Sequence, residues 1–314
     1  MSQPVYIDTY ERQPSNVVTV GTFDGVHLGH QALIRNVVGR ARERKAPAVV
    51  VTFDPHPRDI IHPSTDGVRL LTTLPERSEI MRRYGIDKMV VIPFTRDFSM
   101  LSSEQFVRDY VYKRVGVDTF VIGYDHHFGR DREGSIQTLK KLGAELGFSV
   151  HVQSAQEVKH TTVSSTVIRR LLEDQGDVDT AAEMLGRRYE MSGTIVRGDR
   201  RGRTIGFPTA NLQWDDPRKV LPANGVYCVE AELDGQWLSG MMNIGKRPTF
   251  DGTPGIVPEV HLFDFDRTVY GSKMRVRFIR RIRGEKKFSG PEALVQQLKN
   301  DREMCRAILR ELPG

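Results

Sequence analysis

The feature that most constrains the fold is a stretch near the start of the chain, where a β-forming run breaks at glycines and continues as a helix. Residues 17–20 are Val-Val-Thr-Val, Gly21 and Gly25 follow, and apolar residues recur at helical spacing through Val38. A strand, a glycine turn and a helix start bring free backbone N–H groups and the positive end of the helix dipole together. Because glycine has no Cβ, the backbone can approach a ligand closely. The stretch predicts an α/β fold with an anion site at the turn.

Two histidines stand at the predicted helix start. His27 and His30 are three residues apart, so both project from one side of a helix and would face an anion bound there. A tight, capped strand–helix connection with two surface histidines explains the same residues. A metal site is less favoured, because no cysteine or acidic cluster stands nearby to complete a ligand set. The residues alone leave phosphate binding and the plain capped turn open.

The amino-acid composition is that of an ordinary soluble protein, and the chain is long enough for two domains. The chain has 314 residues, of which 39% are hydrophobic and 27% charged. It has no apolar run of about 18 residues, and residues 1–16 lack the apolar core of a signal peptide, so we expect a cytoplasmic protein with no membrane contact. Cys228 and Cys305 make no disulfide framework. The net charge of +6 suits anionic ligands, either nucleotides or nucleic acid.

The first half of the chain alternates strand and helix patterns. Further strands are predicted at residues 48–53, 88–92, 119–122 and 149–152, and helices at residues 74–84, from residue 102 and at residues 138–146. Thr73 is expected to cap the first of these helices, and Ser102 with Gln105 has the spacing of a capping box. Alternation of this kind predicts a doubly wound parallel sheet, with ligands at the carboxyl ends of its strands.

The second half has a different pattern. Short strands are predicted at residues 189–196, 226–233, 238–244, 259–265 and 274–282, followed by a terminal helix at residues 291–312. Asp234-Gly235 is a hairpin signal. Strands with no helices between them favour an antiparallel barrel or sandwich. We therefore predict two domains, residues 1–186 and 187–314.

Two motifs in the first half resemble those of a known family. Gly-Thr-Phe-Asp-Gly-Val-His-Leu-Gly-His resembles the HxGH signature of the nucleotidylyltransferases, and its Phe-Asp-Gly-Val portion resembles the bacterial bifunctional riboflavin kinase/FMN adenylyltransferases. Ser-Ser-Thr-Val-Ile-Arg is similar to the second phosphate-binding motif of that family. Taken from the residues alone, it could be only a helix N-cap. The resemblance implies nucleotide binding by Gly21, Thr22, Phe23, Asp24, Gly25, His27, His30, Ser164, Ser165, Thr166 and Arg169.

Two loops that follow predicted strands resemble the flavin-side loops of the same family. They are Phe-Asp-Pro-His-Pro at residues 53–57 and Gly-Tyr-Asp-His-His-Phe-Gly at residues 123–129. By their residues, the first is equally a rigid turn bounded by prolines. The second could suggest a metal cluster, but adjacent histidines point apart on extended backbone. The resemblance implies flavin binding by His56, Asp125 and Phe128.

The second half carries a glycine- and arginine-rich segment at residues 193–211. No Gly-Lys-[Ser/Thr] ends it, so it is not a P-loop, and by composition it is a flexible basic loop. Its end, Gly-Phe-Pro-Thr-Ala-Asn-Leu, resembles the riboflavin kinase signature. That resemblance implies nucleotide binding by Gly198, Gly202, Arg203, Thr209 and Asn211. It also implies that Thr209 and Asn211 hold Mg²⁺, a hard cation that prefers oxygen ligands.

Two further residues take roles from the family pattern. Asn243 stands in a segment similar to the family's Asn-Ile-Gly loop, which implies flavin binding. Glu259 stands where the family has the base that acts on the ribityl hydroxyl, whereas an isolated Glu at a strand start is usually only solvated. The resemblance implies catalytic roles for Glu259, His27 and His30, the two histidines neutralising charge on the phosphates.

The resemblance implies a nucleotidylyltransferase domain followed by an antiparallel β-barrel kinase domain. Together they would phosphorylate riboflavin with ATP to FMN and ADP, then adenylylate FMN with ATP to FAD and pyrophosphate. We expect Mg²⁺ and ATP as cofactor and co-substrate, and no nucleic-acid partner. A nicotinate-type adenylyltransferase is one alternative, disfavoured by the Pro-Thr-Ala-Asn segment. A nucleic-acid-binding module is the other, disfavoured because no basic surface interleaved with aromatic residues is visible.

Overall fold

A computed structural model gives the architecture of the chain. It describes residues 3–63, 65, 67–123, 128–130, 133–154, 157–158, 161–198, 202, 205–248 and 254–312. The chain divides into two compact units, Met1–Ser165 and Thr166–Gly314. The predicted boundary at residue 187 stays a prediction.

The first unit contains a six-stranded sheet in which every pair is parallel. Its strands are β1 (Val5–Tyr6), β2 (Val17–Val20), β3 (Ala48–Asp54), β4 (Lys88–Pro93), β5 (Thr119–Gly123) and β6 (Ser149–Gln153), in the order β1-β4-β3-β2-β5-β6. The predicted parallel sheet is confirmed. Strand β2 lies at the point where the strand order reverses, which is where doubly wound sheets bind their ligands.

The sheet carries apolar side chains on both faces, as a parallel sheet covered by helices must. Successive residues of a strand point to opposite faces. Val18 of β2 accordingly packs in one cluster with Phe120, and Val17 packs in the other with Ile34. Two short strands, β7 (Glu157–Val158) and β8 (Thr161–Thr162), form a separate antiparallel pair.

Helices precede or follow most of the strands, and two of them begin where the sequence predicts a cap. The helices are α1 (Leu28–Arg44), α2 (Pro57–Ile61), α3 (Leu74–Arg83), α4 (Arg96–Ser99), α5 (Ser103–Gln105, continuing as a π-helix over Phe106–Val115), α6 (Ile136–Leu146), α7 (Ser165–Arg170, continuing as a π-helix over Leu171–Gln175), α8 (Val178–Leu185) and α9 (Pro291–Arg310). Thr73 with Glu76 and Ser102 with Gln105 form reciprocal capping boxes. Both predicted caps are confirmed.

The second unit is built on a closed antiparallel barrel. Its strands are β9 (Glu190–Val196), β10 (Ala210–Trp214), β11 (Gly225–Leu233), β12 (Gln236–Pro248), β13 (Pro254–Leu262) and β14 (Lys273–Arg283), in the order β10-β13-β12-β11-β14-β9. Closure decides between the barrel and the sandwich. The Asp234-Gly235 turn has positive φ at both residues, 52° and 79°, as a tight hairpin turn requires.

The strand predictions for this half contain three errors, one of which is that β12 continues four residues past its predicted end at residue 244, to Pro248. Strand β10 was missed, because it coincides with the Pro-Thr-Ala-Asn motif and is too short to show alternation. The strand predicted at residues 259–265 instead begins at Pro254 and ends at Leu262, and Asp264 with φ 53° takes the chain out of the extended conformation. Helix α9 is attached to the barrel by the buried Asp301, whose carboxylate lies 2.9 Å from the Arg283 guanidinium.

Candidate active sites

The turn after β2 holds its shape with backbone conformations that L-residues rarely adopt. Phe23 has φ 50° and Val26 has φ 41°, and both side chains are buried. The Val26 N–H donates to the Phe23 carbonyl at 3.0 Å, and the buried Gln31 amide donates to the Val26 carbonyl at 2.9 Å. Strained backbone of this kind persists only where surrounding contacts hold it, and it concentrates at functional sites.

The buried Asp24 carboxylate ties this turn to the segment before α3. It accepts hydrogen bonds from the Leu71 N–H at 3.0 Å and the Thr72 N–H at 2.8 Å, and Arg77 Nη2 lies 3.6 Å away. The Thr72 hydroxyl in turn accepts from the Gly25 N–H at 2.9 Å. The Asp24 carboxylate therefore fixes the turn to residues 71 and 72 by hydrogen bonds. Its predicted contact with the nucleotide stays a prediction.

The two histidines lie together at the start of α1. His27 is the N-cap, and its Nδ1 accepts from the His30 N–H at 3.4 Å. The imidazole rings are stacked with centroids 3.6 Å apart, and the Phe23 ring meets His30 edge-on at 5.1 Å. An Nδ1 that accepts carries no proton, so the neutral His27 ring carries its proton on Nε2.

Two glycines make room for this arrangement. A Cβ on Gly29 would lie 3.2 Å from the His27 ring, and a Cβ on Gly21 would lie 3.1 Å from the Phe23 ring. The predicted pair of imidazoles at one helix start is therefore present, and close packing against glycine backbone sets its geometry.

The second motif of this half begins beside the same turn. The Ser165 hydroxyl donates to the Asp24 carbonyl at 2.8 Å, although the two residues are far apart in the chain. Ser164 precedes α7, and Thr166 and Arg169 lie on α7, in the second unit. The structure thus brings Ser165 of the second motif to the HxGH turn.

The predicted flavin-binding residues of this half fall in different settings. His56 is the N-cap of α2, and its Nδ1 accepts from the Arg58 N–H at 3.2 Å. Phe128 is buried, with its ring 6.2 Å from that of Phe106. Asp125 lies outside the described residues. The flavin-binding roles stay predictions.

In the barrel, strand register places three predicted site residues side by side. Glu259 on β13 pairs with Asn211 on β10 on one side and with Asn243 on β12 on the other. Paired residues of antiparallel strands share a face of the sheet. The Thr209 hydroxyl, at the start of β10, donates to Glu259 Oε2 at 3.2 Å. The motifs that the sequence shows as three separate segments therefore form one row.

Two glycines pack against this row. A Cβ on Gly198 would lie 1.7 Å from Asn211 Nδ2, and a Cβ on Gly202 would lie 2.1 Å from the Phe207 carbonyl oxygen. The Gly202 carbonyl also accepts a hydrogen bond from the Phe207 N–H at 2.8 Å. No side chain larger than hydrogen fits at either position without movement. Arg203 lies outside the described residues.

Comparison with known proteins identifies both halves. A family model described as FAD synthetase matches residues 9–167, and one described as riboflavin kinase matches residues 185–309. The bifunctional riboflavin kinase/FMN adenylyltransferase of Listeria monocytogenes is 37% identical over 298 residues, covering 95% of this chain and 94% of its own. Those of Bacillus subtilis and Escherichia coli are 36% identical, covering 93% and 92% of this chain and 92% and 91% of their own.

The chain belongs to the bifunctional riboflavin kinase/FMN adenylyltransferase family. The adenylyltransferase half carries the HxGH turn, and the kinase half carries the row of Asn211, Glu259 and Asn243. A solved structure described as a macrolide-efflux protein from Streptococcus pneumoniae has the same fold, with a TM-score of 0.87, 35% identity and 96% of each chain covered. In the part of this chain that the structure describes, no helix has the length and apolar character to cross a membrane.

The kinase half fits Mg²⁺ through its oxygen donors. Asn211 is 7% exposed, and its buried Oδ1 has no hydrogen-bond partner among the residues that the structure describes. With the Thr209 hydroxyl nearby on the same segment, the donors are neutral oxygens, which suit a hard cation that also binds phosphate and water. Within the described ranges, no group of three or more His, Cys, Asp or Glu side chains could hold a metal ion.

Sequence reasoning missed the residues that support the adenylyltransferase turn. Thr72, Arg77 and Gln31 contact the turn only because separate segments fold together, and each looks like an ordinary residue of a helix or a helix start in the sequence. A signal was available for Arg77 alone. It lies on the buried face of α3, together with the apolar Met81 four residues later.

Proposed function

We propose that this chain makes FAD from riboflavin in two steps that each consume ATP. The barrel unit transfers the γ-phosphoryl group of ATP to riboflavin, which gives FMN and ADP. The unit with the parallel sheet transfers AMP from a second ATP to FMN, which gives FAD and pyrophosphate. The observation that carries the proposal is the presence of both family halves in one chain. The stacked His27 and His30 of the first half and the pairing of Glu259 with Asn211 and Asn243 in the second support it.

In the kinase step, Glu259 would take the proton from the ribityl hydroxyl that attacks the γ-phosphorus. Thr209 donates a hydrogen bond to Glu259 Oε2 and so orients the carboxylate. Thr209 and Asn211 would hold Mg²⁺, which supplies charge neutralisation on the phosphate oxygens when it is bound. Asn243 pairs with Glu259 from the neighbouring strand and would contact the flavin substrate. Phosphoryl transfer depends mainly on such alignment and neutralisation.

In the adenylyl step, a phosphate oxygen of FMN would attack the α-phosphorus of ATP, and pyrophosphate would leave. No protein nucleophile takes part. The N-terminus of α1 and the imidazoles of His27 and His30 would stabilise the negative charge that develops on the phosphates. The tautomer of His27 supports this role, because its Nε2–H is a hydrogen-bond donor.

The proposed function is tested by supplying riboflavin and ATP with Mg²⁺ and separating the flavins over time. We expect FMN to appear first and FAD to follow, with one ADP released for each FMN formed. Supplying FMN in place of riboflavin should give FAD and pyrophosphate directly. Formation of neither product would overturn the proposal. The cytoplasmic location expected from the sequence stays a prediction.

Replacing Gly29 by Ala should separate stability from adenylylation. Ala is favoured over Gly by about 1 kcal/mol in a helix interior, and by less in the first turn, where Gly29 lies, so the melting temperature should hold or rise slightly. The new Cβ would lie 3.2 Å from the His27 ring, so the ring should shift by a few tenths of an ångström within its stack on His30. We expect FMN adenylylation to fall roughly 10-fold or more, since small misplacements of reacting groups are costly.

Gly39→Ala is the matched control, because Gly39 lies in the same helix and a Cβ there would meet nothing within 4 Å. It should gain helix propensity and keep full adenylylation. Kinase activity should be unchanged in both variants. Equal adenylylation by the two variants would show that the Gly29 backbone does not set the His27 position.

We also propose that the kinase half can work alone, and that its best boundary precedes residue 187. The segment ahead of that residue packs on the barrel: the Ala223 N–H donates to the Leu172 carbonyl at 2.8 Å, and Arg281 Nη1 donates to the Gln175 carbonyl at 2.8 Å. Between residues 166 and 186, five apolar side chains are fully buried, namely Ile168, Leu172, Val178, Ala181 and Leu185. A fragment that starts at residue 187 loses all of these contacts.

Fragments Thr166–Gly314 and 187–314 should therefore differ in stability. Losing several buried apolar contacts should lower the melting temperature of the shorter fragment by about 5 °C or more. We expect both to convert riboflavin to FMN and neither to make FAD, as judged by calorimetry and chromatography of the flavins. A folded Thr166–Gly314 fragment without kinase activity would mean that the kinase site needs residues from the first unit.

A further inference from the structure

A buried histidine lies next to the kinase row, and nothing in the sequence motifs gives it a role. His261 is on β13, two residues after Glu259, so both side chains leave the strand on the same face. His261 is only 9% exposed, and its Nδ1 lies 2.8 Å from the carbonyl oxygen of Pro208.

That contact defines the protonation state of the ring. A carbonyl oxygen can only accept, so His261 Nδ1 must carry a proton and donate it. Burial, together with the positive charges of Arg302 and Arg306, lowers the pKa of His261 against the opposing effect of the Pro208 hydrogen bond. The ring is therefore neutral near pH 7, in the Nδ1–H tautomer.

Pro208 immediately precedes Thr209, whose hydroxyl donates to Glu259 Oε2 at 3.2 Å. Strand β13 thus makes hydrogen bonds to two consecutive residues, Pro208 and Thr209. Glu259 accepts a hydrogen bond from the Thr209 hydroxyl, and His261 donates one to the Pro208 carbonyl. Without the His261 hydrogen bond to the Pro208 carbonyl, the peptide between Pro208 and Thr209 would be free to rotate. The Thr209 hydroxyl and the Glu259 carboxylate would then lose their alignment.

Packing offers a competing explanation for the same histidine. The His261 ring lies 5.1 Å from Phe207 and 5.8 Å from Phe263. Arg302 and Arg306 of α9 lie over those two rings at 5.7 Å and 5.6 Å. His261 could therefore serve only as an aromatic filler beneath α9. The two explanations make opposite predictions about which substitution is tolerated.

We propose that His261 is a positioning residue of the riboflavin kinase site, whose Nδ1–H holds the Pro208 carbonyl and thereby aligns Thr209 with Glu259. The proposal rests on the proposed kinase function of this unit. His261 does not touch substrate. It acts through the Pro208–Thr209 segment, and removing it should lower the turnover number of FMN formation more than the affinity for riboflavin.

A pair of substitutions separates the hydrogen bond from the packing. H261F keeps an aromatic ring and has no donor, whereas H261N gives up the ring and places an amide N–H close to the original Nδ1. We expect H261F to lower kcat for FMN formation by about 10- to 100-fold, the range for residues that support a catalytic group. H261N should stay within a few-fold of the unsubstituted enzyme. Adenylylation of supplied FMN by the full-length chain should be unchanged in both.

The packing explanation predicts the reverse order, with H261F active and H261N impaired, and that result would overturn the proposal. F263L is the control for the aromatic contacts, because it removes a ring beside His261 and leaves the Pro208 hydrogen bond in place. F263L should keep its kinase activity. A loss as large as that of H261F would assign the effect to the stack.

A measurement on the unsubstituted protein tests the geometry without any activity. Nitrogen-15 NMR of the full-length chain without nucleotide should show one buried imidazole as the Nδ1–H tautomer, with its signal absent from H261N. An Nε2–H tautomer at His261 would overturn the proposal whether or not the variants fold. Failure of the unsubstituted enzyme to make FMN would instead count against the proposed function, so the two failures are distinguishable.

Discussion

Glu259→Gln is expected to lower riboflavin phosphorylation by about 10²- to 10⁴-fold, the usual contribution of a positioned general base. The substitution keeps the size of the side chain, and its amide oxygen can still accept the hydrogen bond that Thr209 donates to Glu259 at 3.2 Å. What it removes is the capacity to take the proton of the ribityl hydroxyl. Steady-state formation of FMN from riboflavin measures the loss, and adenylylation of supplied FMN should continue at the original rate.

Glu232→Gln is the matched control for this experiment. Glu232 lies on β11 of the same barrel and is part-exposed, with its carboxylate 3.6 Å from the Arg275 guanidinium. Exposed pairs of this kind contribute about 0–1 kcal/mol, so this variant should fold and keep both activities. If Glu259→Gln lowered both activities together, Glu259 would be structural. If it lowered neither, another group would be the base.

His30→Ala is expected to lower FAD formation by about 10²- to 10³-fold, the cost of removing one donor that stabilises charge in a transition state. The backbone N–H of residue 30 remains, so the His27 cap at 3.4 Å can persist. The lost groups are the imidazole and its stack on His27. Incubation with riboflavin and ATP should then accumulate FMN, because the kinase half keeps its own site.

His151→Ala is the control for His30→Ala. His151 lies on β6 of the same unit, and burial lowers its pKa, with the charges of Arg40 and Arg44 adding to the effect. Its removal should leave FAD synthesis at the original rate. Normal FAD synthesis by His30→Ala would contradict the role assigned to the HxGH motif. Loss of FMN formation in that variant would contradict the separation of the two chemistries.

Local features of the fold were predictable because local chemistry determines them. Valines in series after a polar segment form β2, a capping box at Thr73 starts α3, and Asp234-Gly235 supplies the two positive φ angles of a hairpin. Each of these depends on residues within a few positions of one another. The order of the motifs, and hence the family, is readable from the same local strings.

The errors have a physical cause of their own. Strand β10 is five residues long, and two of its adjacent residues are buried, so it shows no regular alternation of apolar and polar residues. The end of β13 depends on a positive φ at Asp264, a residue type that tolerates the left-handed region without being confined to it. A strand as short as β10 leaves no recognisable sequence pattern, and neither does a positive φ at a residue such as Asp264 that also adopts other conformations.

Local sequence patterns define the two kinds of domain, the family and the residue types that each reaction needs. How those residues come together depends on tertiary packing. Barrel register places Glu259 between Asn211 and Asn243, and the fold of the first unit buries the Asp24 carboxylate against Thr72 and Arg77. The physical reason is that strand register and burial are set by the packing of the whole unit, whereas helix caps and turns are set by neighbours along the chain.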